Sequence, residues 1–503
     1  MYNNSYLVTF IIIRKEERVL QQLIESKYLK DLFAKSGDVL VREIKTAKYK
    51  VQVHIFCVDG LVNDTIFDQA ILRPFANNTA IKECKNQEEL FDAMFTGMAY
   101  HDFTSEVTDM DKLIQGVMSG MAGVIFDELH KAILFDARGF DKRSISEPSD
   151  EGVVKGAKDC FIEVLRTNTA LIRRRIRSRY LVIEQMTLGR VNRADIAIAY
   201  LSNIVDMDNV ERLKNAFKKI DIDNTPTPAF IEEFISSNRN SLFPQVMYTQ
   251  RPDRCSSNLT DGRVALIVDG MPFVFILPCQ LPILMQSPED YAENCVVGSC
   301  LRTIRYLALI LTIVLPGLYI AITTYQHQML PIELALSIQN AKMNVPFSSS
   351  VEVFGLLLSF EIIIEAGLRL PKTVGQAMSI VGGLVVGQAA VQANLISPAV
   401  VIVIAFTGIA GFTLPNQDLA NAVRVIRFAI AILAAFLGFF GLMIGITLLI
   451  THLCSLDNYG VAYLSPFVDA EHKSHQDTLF RYPVRFFKYR PEGIAKKNHR
   501  KQK

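Results

Sequence analysis

Glu361 and Glu365 stand four residues apart in the apolar run Val351–Ala366 (VEVFGLLLSFEIIIEA). On a helix that spacing puts both carboxylates on one face, and an ionisable group at membrane depth is costly enough to mark a functional candidate. With Ser359, Gln388 and Gln392 they would line a polar cavity, where the chemistry is negative potential along a water path rather than bond-making. A plainer reading places the same carboxylates at a membrane interface, paired with Arg369 or Lys372, and the residues do not choose between the two. Signatures of catalysis are absent: the sequence has no P-loop, GxSxG, HExxH or GxGxxG. His54, His101 and His130 lack metal-ligand spacing, and the eight cysteines are scattered without a CxxC pair. The expectation is a chain that is not an enzyme, with no catalytic residue, cofactor or metal, and with free thiols in a reducing compartment.

The elements that must position these groups divide the chain in two. Of 503 residues, 50% are hydrophobic and the net charge is only +2, but charge crowds the first 300 residues and leaves the stretch Tyr306–Leu453. A span of about 20 apolar residues crosses a hydrocarbon layer roughly 30 Å thick. Tyr306–Tyr325, Val374–Val391, Ile396–Pro415 and Phe428–Leu453 qualify, and Val351–Ala366 is a weaker fifth. Arg302, Arg305 and the basic tail from Lys473 onward place both flanks in the cytoplasm, which requires an even number of crossings. Arg369, Lys372, Arg424 and Arg427 also read as cytoplasmic and fit five crossings better. The preferred arrangement is four full crossings plus a re-entrant or interfacial element, with Pro331–Asn344 as an interfacial helix. Paired small residues, Gly383 with Gly387, Gly408 with Gly411 and Gly441 with Gly445, predict close helix packing. Pro316–Gly317 predicts a kink in the first crossing.

The charged half reads as a duplicated α/β region. Strand Lys50–Phe56 leads into helix Asp64–Leu72 and later a strand pair, Ala122–Gly139; strand Asp195–Leu201 leads into helix Met207–Ile220 and later a strand pair, Gly262–Pro278. The turn-rich segment Ser144–Lys158 separates them. The implied organisation is a first soluble subdomain over 1–145, a second over 146–300, a helical transmembrane domain over 301–455 and a basic cytoplasmic tail over 456–503. The first 20 residues carry no basic n-region or small-residue cleavage site, so the soluble part is expected to stay in the cytoplasm. A helix over Asp159–Arg177 buries Phe161, Leu165, Ile172 and Ile176 and leaves Arg173, Arg174 and Arg177 largely off that stripe. No aromatic platform accompanies these arginines, so nucleic acid is not expected as a partner; pairing with carboxylates of another subunit is.

Four blocks carry a resemblance: EPSDEGVVKGAKDCFIEVLRTNTALIRRRI (Glu147–Ile176), SLFPQVMYTQRPDRCSSNLTDGRVALIVDGMPFVFILP (Ser241–Pro278), FEIIIEAGLRLPKTVGQAMSIVGGLVVGQAAV (Phe360–Val391) and HLCSLDNYGVAYLSPF (His452–Phe467). Together they resemble the A subunit of the GerA family of spore germination receptors, collinearly from about residue 147 to 467, whereas the first 140 residues agree in layout alone. The family block RGPREGF stands here as KGAKDCF (Lys155–Phe161). The resemblance implies a spore inner-membrane protein that acts with a transporter-like B subunit and a lipoprotein C subunit. It further implies a homo-oligomer in the lipid bilayer forming a nutrient-gated channel for monovalent cations. A solute transporter would predict broken helices in an inverted repeat, which the sequence does not display. A membrane-anchored scaffold would predict no buried ionisable groups, against Glu361 and Glu365.

Overall fold

The computed structural model describes residues 23–98, 104–139, 151–223, 228–370, 387–468 and 477–502, apart from 152, 154 and 492. The first sheet contains β1 (Val39–Lys45), β2 (Gln52–Val58), β3 (Thr104–Val107), β4 (Ala122–Phe126) and β5 (Lys131–Phe135), in spatial order β1-β2-β4-β5-β3. The second contains β6 (Leu181–Leu188), β7 (Ala194–Leu201), β8 (Met247–Thr249), β9 (Val264–Val268) and β10 (Val274–Leu277), in the order β6-β7-β9-β10-β8. Strand for strand this is one topology used twice, antiparallel throughout. Central strands β4 and β9 are buried at every residue, so both read as continuous apolar runs rather than alternating ones. The turns after them need a left-handed residue, supplied by His130 (φ 52°) in one copy and Gly270 (φ 82°) in the other.

Helix α1 (Met110–Met118) joins the third and fourth strands of the first sheet, and α4 (Pro252–Thr260) does the same in the second. Between the copies runs α2 (Leu165–Arg175), which begins later than the sequence predicts: Phe161 is instead in an extended segment whose N–H donates to the Gln250 carbonyl at 2.8 Å. Arg173, expected to lie off the buried stripe, is 0% exposed. Its guanidinium reaches out of the second subdomain to the first, donating from Nε and Nη2 to Asp38 at 2.6 and 2.9 Å. Arg175 pairs with Asp159 and Arg179 with Asp111, so this part of the arginine cluster is engaged within the chain, not left for another subunit. Helix α3 (Met207–Lys218) packs into the core of the second copy through Val210, Leu213 and Phe217.

The apolar half contains α5 (Cys295–Thr324), α6 (Ile332–Lys342), α7 (Ser349–Arg369), α8 (Pro398–Phe412) and α9 (Gln417–Ser455). Two of these, α5 and α9, are long and apolar enough to cross a membrane. Helix α5 continues unbroken through Pro316, and Gly317 beside it lets Ala434 and Ile430 of α9 approach, an added Cβ standing 3.4 and 3.5 Å from them. Helix α9, within which the sequence places one crossing at Phe428–Leu453, turns back at Gly438, whose φ of 62° and ψ of −140° lie outside helical space. Its halves pack on each other: an added Cβ at Gly445 would stand 3.2 Å from both Ile430 Cγ1 and Leu433 Cδ1, and one at Gly441 would collide with the Leu433 carbonyl. Both ends of this hairpin meet the second subdomain. Asp418 and Asn421 share a cavity with Glu232 and Arg239, and His452 Nε2 is 3.0 Å from Ser241 Oγ. The hairpin tip lies at the far end of α5, where the Tyr325 hydroxyl donates to the Ala435 and Phe436 carbonyls at 2.8 and 3.1 Å.

The basic tail folds back on the second subdomain. Ile494 and Ala495 are fully buried, Arg490 Nε donates to the Thr260 carbonyl at 2.7 Å, and Lys501 pairs with Asp261 at 2.6 Å.

Candidate functional site in the helix bundle

Helices α7 and α8 run side by side toward the soluble domain. Their first turns meet, the Ser397 N–H at the start of α8 donating to Glu352 Oε2 of α7 at 2.7 Å, and further along Gly408 takes the ring of Phe360 against its backbone. The bundle closes where Tyr319 and Ile320 of α5, Val353 and Leu357 of α7, Val400 and Ile404 of α8 and Ala431 of α9 form one apolar cluster.

Into this frame the structure sets the sequence candidates separately. Glu361 forms an ion pair with Arg427 of α9, whose side chain is 2% exposed. Glu365 instead bonds Arg369 on its own helix at 2.6 and 2.9 Å, and both are exposed. The shared-face geometry is therefore present, but each carboxylate already has a cationic partner. Gln388 and Gln392 are exposed on the helical turn Gly387–Gln392 and their side chains form no hydrogen bond among the described residues, so they do not join the carboxylates. Gly383 lies outside the described residues. An added Cβ at Gly387 would meet only Val401, at 3.9 Å, whereas Gly441 and Gly445 are the contact points of the α9 hairpin.

Sequence reasoning passed over the most deeply buried carboxylate of the bundle. Glu352, the second residue of the run Val351–Ala366, is 1% exposed. Its signal was its place in the first turn of a helix that opens on the serine run Ser348–Ser350, where an acidic residue is favoured by the helix dipole. A second buried constellation ties the bundle to the soluble domain. Asp290 accepts from Arg302 Nε at 3.1 Å and from Arg305 Nη2 at 2.6 Å, and Arg302 Nη1 also reaches Asp477 of the tail at 2.8 Å.

In the soluble half a cleft of about 230 Å³ opens between the subdomains, lined by Asn63, Thr65, Cys160, Arg166 and Thr167. Arg166 is already held by Asp59 and Asp64 at 2.7 and 2.9 Å. All eight cysteines are unbridged. Burial pushes the Cys57 thiol up to about 12, and Cys279 likewise to about 12, which leaves both as inert core thiols at neutral pH. His54 is also accounted for, its Nδ1 lying 2.7 Å from Asp127. Among the described residues no three His, Cys, Asp or Glu side chains converge as metal ligands would.

Relatives of known name share this sequence along most of its length. Spore germination protein KA of Bacillus subtilis (strain 168) is 36% identical over 93% of this chain and 85% of its own. Spore germination protein B1 of the same organism is 36% identical over 92% of this chain and 95% of its own. Among solved structures, the N-terminal domain of the A subunit of the Bacillus megaterium spore germinant receptor GerK3 aligns with 50% of this chain and 92% of that one, at 24% identity and a TM-score of 0.38. The family described as Bacillus/Clostridium GerA spore germination protein matches residues 27–493. The chain therefore belongs to the GerA spore germination protein family.

Proposed function

We propose that this chain is the A subunit of a germinant receptor in the spore inner membrane, forming with B and C subunits an oligomeric, nutrient-gated path for monovalent cations. The observation that carries the reading is the ion pair between Glu361 and Arg427, an interhelical charge pair held inside an apolar bundle. A purely anchoring helix set gains nothing from such a pair, because a buried ion pair is weak stabilisation once desolvation is counted. A two-state bundle does gain, since a charge pair that forms in one arrangement and separates in another sets a threshold between them. In the arrangement seen, Arg427 neutralises Glu361; separation would leave the carboxylate free to favour cations.

The same reading assigns sides. The soluble domain, the start of α5, both ends of α9 and the tail lie together, and in this proposal they face the cytoplasm. The α5 helix then leads outward, α7 and α8 inward, and the α9 hairpin out and back. The crossing expected over Val374–Val391 lies for the most part outside the described residues. Exposed apolar residues such as Ile402, Phe406, Phe436 and Phe440 then face lipid or neighbouring copies. The chain on this reading performs no catalysis and requires no cofactor.

The test is reconstitution of the chain with its B and C partners in vesicles, with potassium flux recorded after nutrient addition. Nutrient-dependent flux that changes its threshold or selectivity with Glu361→Gln is the expected result. Wild-type vesicles without flux, or unchanged gating and selectivity in both Glu361→Gln and Glu365→Gln, would remove the channel assignment and its carboxylates respectively.

A further inference from the structure

At the end of the bundle remote from the soluble domain, three buried oxygens converge, Glu352 Oε1, Ser397 Oγ and Tyr319 Oη, and the one cation near them is the Lys342 ammonium. The Tyr319 hydroxyl faces Ser397 and lies within electrostatic reach of the Glu352 carboxylate. Ser397 is the N-cap residue of α8, yet its side chain caps no helical N–H; an N-cap serine ordinarily spends its hydroxyl there. The other carboxylate oxygen, Glu352 Oε2, is fixed by the Ser397 N–H at 2.7 Å. A rigidly held carboxylate beside the facing hydroxyls of Ser397 and Tyr319 in an apolar wall is a set of hard oxygen donors.

One positive group enters this set. Lys342 Nζ stands 3.2 Å from Glu352 Oε1 and contacts Ser349 Oγ. It arrives from the last residue of α6, a helix with no buried residue. The charge inside is therefore balanced by an ammonium on a thinly attached arm, while the carboxylate and its wall stay put.

We propose that Glu352, Ser397 and Tyr319 form a binding site for a monovalent cation and that the Lys342 ammonium occupies it as a tethered stand-in. The charge fixes the class: one carboxylate in an apolar surround is neutralised by one positive charge, and a divalent ion would leave an uncompensated charge. The size indicates the ion, since an ammonium group is closest to potassium among the common alkali cations. When α6 lifts, a cation takes the vacated position; when it settles, the ammonium expels the cation. The site lies away from Glu361, and it holds whether or not the chain conducts ions.

The test uses full-length protein in detergent, with thermal unfolding recorded in potassium, sodium or choline chloride at equal ionic strength and in a calcium arm. Wild type should respond equally to all three monovalent salts, because its site is filled. Lys342→Ala should be stabilised by potassium over choline, by about 2–4 °C at tenfold excess over the dissociation constant, and Lys342→Gln should behave likewise. Adding Glu352→Gln to Lys342→Ala should abolish the difference. The proposal is overturned by Lys342 variants that do not distinguish potassium from choline, by a response that survives Glu352→Gln, or by calcium stabilising more than potassium. Failure of both Lys342 variants to fold in every salt would overturn it equally, because the small cation must replace what the ammonium supplied.

Discussion

Gly445 lies against Ile430, with an added Cβ 3.2 Å from its Cγ1, although a straight helix would hold the two roughly 22 Å apart. The reversal at Gly438 makes this possible. Its φ of 62° is unstrained for glycine, and an added Cβ there would also press on the Tyr325 ring at 2.9 Å. Gly438→Ala should therefore destabilise the protein by about 1–3 kcal/mol, seen as a lowered unfolding temperature in detergent. Tyr325→Phe removes only the donor to the Ala435 and Phe436 carbonyls and should cost about 1 kcal/mol. Equal effects from both would contradict a hairpin governed by the glycine.

The second prediction concerns Arg173 and Asp38, a bidentate pair joining the subdomains with both side chains almost wholly buried. Removing one partner strands the other, so Arg173→Met and Asp38→Leu should each cost about 3–5 kcal/mol. The double variant Asp38→Leu with Arg173→Met leaves no stranded charge and should recover much of that loss. Thermal unfolding of the three variants forms a cycle, and additive losses would show that the pair does not act as a unit.

These residues also mark how far the sequence could be read. The duplication was legible because β2, β4, β5 and their counterparts carry apolar runs with turn residues at similar spacing. The edge strands β1 and β3 are half exposed and mixed in composition, so periodicity gave them no signal. Arg173 looked solvent-facing because its burial depends on Asp38, 135 positions away, and no local pattern encodes a long-range partner. The carboxylates of α7 were legible as costly groups, but Glu361 finds its cation on α9 rather than on its own helix. The reversal in α9 was the least readable feature. A glycine inside an apolar run is common in membrane helices, and only the contact between Ile430 and Gly445 distinguishes a turn from a packing notch.

A third prediction follows from the junction between the second subdomain and α9. Glu232 shares its cavity with Asp418, and burial first, then the Asp418 charge, pushes its carboxyl up from 4.5 to about 7. The folded protein thus holds a proton there that the unfolded chain has already released. The sign follows: this group favours the folded state most at low pH, and stability falls as pH rises from 4.5 to about 7. Glu232→Gln should match wild type near the lower end and exceed it increasingly up to neutrality. Unfolding temperatures of both proteins across that range provide the check, and a pH-independent difference between them would refute it.

The last prediction separates two carboxylates in one buried network. Asp290 is fully buried and holds both Arg302 and Arg305, whereas the Asp477 carboxylate holds one guanidinium, that of Arg302, and accepts besides from the Tyr291 hydroxyl. Arg302 also donates to the backbone carbonyls of Asp477 and Thr478 at 2.9 and 3.3 Å, acceptors that a side-chain change leaves in place. Asp290→Asn therefore leaves two guanidinium groups in a desolvated pocket with one carboxylate between them, and should cost about 3–5 kcal/mol. Asp477→Asn should cost much less globally and act locally, loosening the tail where it crosses the start of α5. Limited proteolysis tells the two apart: Asp477→Asn should speed cleavage between residues 477 and 502 with little change in unfolding temperature, and Asp290→Asn should lower that temperature for the whole chain. The reverse ranking would mean that the tail, and not the short helix Glu289–Ala292 that carries Asp290, anchors α5 to the soluble domain.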